Sequence, residues 1–168
     1  NFEKALKSKF LAKYCTVLSS GTAALHLAGL ALGWKRGDIV LCSPISFLAS
    51  SNCILYSGAT PDFVDIDRLS YNIDVNKLEK KIKHLNSQSK KVVAVVATDY
   101  AGNPCDWQIL KKIKLKYNIK LINDNCHAIG ASYNNDTSYA VKYADIVTHS
   151  YHPVKTITTG EGGAVLTN

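Results

Sequence analysis

The 168 residues are 46% hydrophobic and 20% charged, enough apolar material for one domain with a buried core and too much for a disordered tail. Lys and Arg number 20 against 13 Asp and Glu, for a net charge of +7, but the lysines (Lys77, Lys80, Lys81 and Lys83; Lys111, Lys112, Lys114 and Lys116) fall on solvated helix faces, so no nucleic-acid partner is expected. No apolar run approaches the ~20 residues of a membrane helix, and five cysteines without a C-x-x-C pair read as reduced residues of a cytoplasmic protein.

In chain order, an amphipathic helix is predicted over about 1 to 12, followed by the apolar strand YCTVL at 14 to 18. TAALHLAGLAL reads as a helix, the turn GWKRGD leads to the strand DIVLC at 38 to 42, and SFLASSNCILYSG reads as helical. A short strand PDFVDI precedes a helix around 75 to 85 that Asp74 caps. KVVAVVAT at 91 to 98 is apolar on both faces, as a central parallel strand should be. PCDWQILKKIKLKY reads as a helix with proline in its first turn, and KLIND at 120 to 124 as another buried strand. IGASY, ADIVTHS and GGAVLTN complete the series as short strands.

This alternation predicts an α/β domain with a mainly parallel sheet and flanking helices, in which ligands sit beyond the carboxyl ends of the strands. The chain has no methionine, even at position 1, and closes on a strand, so a segment cut at both ends is expected. On that view the last strand, GGAVLTN, leaves an open edge that invites association.

The chemistry-bearing residues follow strands. In SSGTAALHL a strand passes through Ser20, Gly21 and Thr22 directly into a helix, and the N–H groups at a helix N-terminus form an anion site that the two hydroxyls can extend. The plainer reading is an N-cap. The stretch is neither G-x-G-x-x-G nor a Walker motif, which leaves a single small phosphate. Asp124, ending an apolar strand, either caps the next segment or keeps a heteroaromatic nitrogen protonated in a cofactor that acts as an electron sink. His127 is an ordinary histidine or orients that ring from another side. Phe47, at a strand-to-helix junction, is a core residue or stacks on a flat ring. Lys155, between Ser150 and a glycine-rich turn, is a solvated cation or an amine that forms a Schiff base. An anion-binding turn, an aromatic, an acid and a lysine on successive strand ends together describe a site for pyridoxal 5'-phosphate.

The stretches SSGTAALHLA, SPISFLASSNCI, LINDNCHAIGASY and SYHPVKTITTGEGG resemble, over the whole chain, the sugar aminotransferases of the DegT/DnrJ/EryC1/StrS family. HPVKTITTGEGG and DNCHAIGASY look most like the subgroup that aminates a UDP-linked 4-keto-6-deoxy amino sugar on the route to pseudaminic acid. The resemblance implies the large domain of the aspartate aminotransferase-like fold over 1–168, truncated at both ends, with the C-terminal small domain absent. It implies Lys155 as the lysine that carries pyridoxal phosphate and later shuttles the proton, Asp124 as the acid paired with the pyridine nitrogen, and His127 near the ring hydroxyl. Thr22, Ala23 and Ser150 match phosphate-binding positions and Phe47 the aromatic over the ring. Glutamate is the implied amino donor and a homodimer the implied assembly, whose partner subunit supplies a further phosphate contact, so the isolated segment is not expected to be active. The alternatives are a sugar dehydratase of the same fold, a role that goes with loss of the lysine, and a non-catalytic truncated or binding module.

Overall fold

The computed structural model describes residues 1–168. Thirteen elements alternate along the chain: α1 (Phe2–Phe10), β1 (Tyr14–Leu18), α2 (Gly21–Ala31), β2 (Asp38–Cys42), α3 (Ala49–Tyr56), β3 (Thr60–Phe63), α4 (Val75–Ser87), β4 (Lys91–Thr98), α5 (Trp107–Tyr117), β5 (Lys120–Asp124), α6 (Tyr139–Tyr143), β6 (Ile146–Ser150) and β7 (Gly163–Thr167). The strands form one sheet of seven in the order β1-β7-β6-β5-β4-β2-β3. From β3 to β6 every pairing is parallel, whereas β7 runs antiparallel to both β6 and β1.

Side chains alternate across the strands, and this splits the core in two. Leu41, Val95, Leu121 and Val147 meet Leu6, Leu78, Ile82, Trp107 and Leu110 on the face covered by α1, α4, α5 and α6. Val40, Val96 and Ile122 meet Leu25, Cys53 and Ile54 on the face covered by α2 and α3. All four residues from Val95 to Thr98 are buried, in keeping with a central strand covered on both sides. No helix is long and apolar enough to cross a membrane. None of the five cysteines is disulfide-bonded.

Several helix starts follow their caps. Asp74 accepts from the N–H groups of Asn76 and Lys77 at 2.9 and 3.1 Å, as predicted. The next helix starts later than the sequence suggests: Asp106 caps α5 through Ile109 N–H at 3.1 Å, which leaves Pro104 ahead of the helix.

The structure corrects two further expectations. IGASY is not a strand: the Ala131 N–H bonds back to Ala128 and Gly130 adopts a φ of 89°, so the segment turns where a strand would extend. The short helix α6 follows it, with Tyr139 buried at its start. GGAVLTN is not an open edge, because β7 is bonded on both sides, to β6 and to β1; the sheet edges are β1 and β3.

The antiparallel placement of β7 positions the site. Since β1 is antiparallel to β7 and β7 to β6, β1 points the same way as the parallel strands, and Leu18, Thr98, Asp124 and Ser150 all end at one rim. β7 begins at that rim, so the loop from Tyr151 to Gly162 lies there as well.

Candidate active site

A cavity of about 310 Å³ opens at this rim, lined from five separate chain segments. Thr22, Phe47, Asp124, His127, Ser150 and Lys155 all line it. Ala23 does not. Its N–H donates to Ser20 Oγ at 3.1 Å, which is the N-cap: Ser20 takes the third amide of the helix and leaves those of Gly21 and Thr22 without an intrahelical acceptor.

That turn is built by close backbone approach. A Cβ on Gly21 would stand 2.7 Å from Ser150 Cβ and 3.3 Å from Cys126 Sγ, so only glycine lets the first turn of α2 settle against the ends of β5 and β6. The Ser150 hydroxyl is thereby brought beside the free amides, and the three could together hold an anion.

Asp124 is 3% exposed. Its Oδ2 accepts from Ser50 Oγ at 2.5 Å and its Oδ1 from Cys126 N–H at 3.3 Å. His127 is close enough to feel both charges of the site: burial and the Lys155 ammonium hold its imidazole below the ordinary 6.5, while Asp124 pulls the other way. A neutral imidazole near neutrality offers one donor and one acceptor to a ligand.

Lys155 sits on the loop between β6 and β7, half-buried, and its own N–H bonds to the His152 carbonyl at 2.9 Å. The loop is closed at its neck by Tyr151 N–H to Gly162 at 2.8 Å, by Thr158 Oγ1 to the Tyr151 carbonyl at 2.9 Å, and by His152 Nε2 facing Glu161 at 3.7 Å. Lys155 takes part in no ion pair, unlike Lys114, which holds Asp145 at 2.7 Å. Phe47 stands at the lip of the cavity, 67% exposed, and is not a core residue.

The sequence reading missed Ser46, Ser50 and Thr98, which surround Asp124 from the side of α3 and β4. Only their positions after β2 and at the end of β4 could have signalled them, since serine and threonine there are commonplace.

An anion cradle, a buried carboxylate and an unpaired lysine around one cavity fit pyridoxal phosphate, whose phosphate, ring nitrogen and aldehyde need those three partners. Comparison with known proteins agrees. The pattern of the DegT/DnrJ/EryC1/StrS aminotransferase family matches residues 1–168. The UDP-4-amino-4,6-dideoxy-N-acetyl-beta-L-altrosamine transaminase of Campylobacter jejuni is 42% identical over 167 residues, 99% of this chain and 43% of the relative. A GDP-perosamine synthase of Escherichia coli is 39% identical over 99% of this chain and 44% of its own length. The crystal structure of NtdA from Bacillus subtilis with bound cofactor PMP superposes with a TM-score of 0.88 at 34% identity, covering 99% of this chain and 36% of that one. The chain thus spans less than half the length of these relatives.

Proposed function

Because the chain belongs to the DegT/DnrJ/EryC1/StrS aminotransferase family, whose members depend on pyridoxal phosphate, we propose that it forms the cofactor-binding large domain of a nucleotide-sugar aminotransferase. The acceptor we assign is a UDP-linked 4-keto-6-deoxy sugar, the donor glutamate, and the assembly a homodimer. The subgroup motifs HPVKTITTGEGG and DNCHAIGASY support the acceptor, as does the name of the Campylobacter relative.

The observation that carries the reading is that Lys155, Asp124 and the free amides of Gly21 and Thr22 line a single cavity. When bound, pyridoxal phosphate supplies the electron sink that lets an amino group pass between two carbon skeletons. Gly21, Thr22 and Ser150 would hold the phosphate, and Asp124 the ring nitrogen as an ion pair. His127 would stand by the ring and Phe47 would cover it from the lip. Lys155 Nζ would hold the cofactor covalently and, once displaced by the donor amine, take up and return a proton. Ala23, one residue inside the cap, would support the cradle through its bond to Ser20. The presence of Lys155 speaks against the dehydratase reading.

Borohydride reduction after addition of pyridoxal phosphate, followed by peptide mapping, tests the assignment. The expected result is a yellow protein that acquires a stable label on Lys155. A label on any other lysine refutes the site, and no yellow species at all favours a non-catalytic module.

A further inference from the structure

Asp124 is held at one oxygen by a row of hydroxyls, of which Ser46 and Thr98 share the cavity wall with it and Ser50 does not. Ser50 Oγ lies 2.5 Å from Asp124 Oδ2, Ser46 Oγ lies 2.7 Å from Ser50 Oγ, and Thr98 Oγ1 lies 3.1 Å from Ser46 Oγ. Ser50 and Asp124 are at most 3% exposed, so bulk water does not compete for the bond between them, while Ser46 is half-buried at the cavity wall. Four different places in the fold supply the row: the loop after β2, the first turn of α3, the last residue of β4 and the last residue of β5.

The direction of every proton in the row follows from one end. An ionised carboxylate only accepts, so Ser50 donates to Asp124. Each hydroxyl has a single proton, so Ser50 must accept from Ser46, and Ser46 in turn from Thr98. The bonds therefore all point toward Asp124, and each donation polarises the next. A separation of 2.5 Å is at the short end for a hydroxyl on a carboxylate. The other oxygen is treated differently, because the only protein donor to Oδ1 is Cys126 N–H, at 3.3 Å. Oδ2 is committed to a short bond from the protein, Oδ1 retains acceptor capacity, and Asp124 itself lines the cavity.

We propose that Ser50 is a positioning residue for Asp124: it fixes the carboxylate's rotation and leaves Oδ1 as the acceptor for the cofactor's ring nitrogen, with Ser46 and Thr98 polarising Ser50 from the cavity wall. The proposal rests on the reading of Asp124 as the ring-nitrogen partner. Ser50 touches neither substrate nor cofactor, and its effect passes through Asp124 alone.

The test uses the protein loaded with pyridoxal phosphate, in the parent form and as Ser50→Ala, Ser50→Thr, Thr98→Val and Asp124→Asn. It reads the dissociation constant of pyridoxal phosphate and the pH midpoint of the bound cofactor's visible absorbance, with circular dichroism as the control for folding. Ser50→Ala should weaken cofactor binding about tenfold, the scale of one charge-assisted hydrogen bond, and move the absorbance midpoint by about half a pH unit or more. Ser50→Thr keeps the hydroxyl and should bring both values back to within about twofold of the parent. Thr98→Val, acting through Ser46, should move the midpoint in the same direction by less. A folded Ser50→Ala protein that matches the parent in both readouts overturns the proposal. If Ser50→Ala does not fold, an unmoved midpoint in Thr98→Val overturns it instead. Asp124→Asn separates the two readings: if it changes both readouts while the hydroxyl variants change neither, only the role of Ser50 falls. If Asp124→Asn itself changes nothing, the assignment of Asp124 falls and the role of Ser50 with it.

Discussion

Gly163 and Ser20 meet backbone against backbone: a Cβ on Gly163 would overlap the carbonyl group of Ser20 and stand 2.7 Å from the Gly21 nitrogen. The first residue of β7 is thus the floor beneath the turn that presents the free amides of Gly21 and Thr22. Gly163→Ala should push that turn outward, because the opposing atoms are backbone and cannot swing aside. We expect a loss of about 1–3 kcal/mol of stability and weaker binding of pyridoxal phosphate, read by urea unfolding and by absorbance titration. Unchanged values in both would mean that the turn relaxes without cost.

Asp124→Asn should retain the shape of the site and lose its charge. In the assembled enzyme turnover should fall on the order of a hundredfold or more, as removal of several kcal/mol of electrostatic stabilisation requires. A glutamate-dependent amination assay checks it, and near-normal turnover would reduce Asp124 to a structural residue.

Asp99 is a second buried carboxylate, and it binds no ligand in our reading. It accepts from Cys105 N–H at 2.8 Å and Trp107 Nε1 at 3.0 Å on one oxygen, and from Asn123 at 3.0 Å, Asn125 at 3.1 Å and the Tyr139 hydroxyl at 2.6 Å on the other. Asp99→Asn is isosteric, yet its amide must turn an NH₂ group toward one of these two donor sets. The expected cost is on the order of 3 kcal/mol, measured by denaturant unfolding. A loss below about 0.5 kcal/mol would show that the network re-pairs freely.

His149 is buried between Phe10 and Tyr151, its Nδ1 3.2 Å from the Tyr151 hydroxyl, and burial pushes its pKa down from 6.5 to about 3. A depressed pKa means that the unfolded chain binds the extra proton first. The stability His149 contributes is complete above about pH 6.5 and is lost as pH falls toward about 3. Asp99 works in the opposite sense: burial raises its pKa despite its donors, so its contribution is greatest below the ordinary 3.8 and declines as pH rises through the raised value. His149→Phe, which keeps a ring against Phe10, should flatten the fall in stability between pH 6 and 4 by about one proton's worth of slope. Equal slopes in parent and variant would exclude His149 as the responsible group.

Much of this architecture was legible in the sequence because it rests on local signals. Apolar runs such as KVVAVVAT mark strands buried on both faces, and a residue such as Asp74 ahead of an amphipathic stretch marks a helix start. The rim positions of Asp124, Ser150 and Lys155 followed from the rule that ligands sit at strand ends. What escaped was decided by tertiary context. Nothing within GGAVLTN says that it runs against its neighbours or lies between β6 and β1, since pairing partners are not encoded in a strand's own pattern. IGASY has a strand's composition, and a turn at Gly130 overrides it. Ser50 escaped for the same reason: its bond to Asp124 spans 74 positions of sequence.

The placement of β7 also sets an order of events during synthesis. β1 has one strand partner, β7, and α2 packs on β6 and β7 as well as on α3, so β1 leaves the ribosome well before the strand that it pairs with. While β2 to β5 and their helices emerge and can pair with one another, α2 can rest on α3 and β1 on α1, but β1 still lacks its one strand partner. The turn at Gly21 gains its full seat, on Ser150 and Gly163 together, when β7 inserts between β6 and β1, a long-range closure of the kind that slows folding. A nascent chain stalled before Gly163 should therefore hold a protease-sensitive N-terminal segment beside an already protected β2 to β5 sheet, and should have no capacity to retain pyridoxal phosphate.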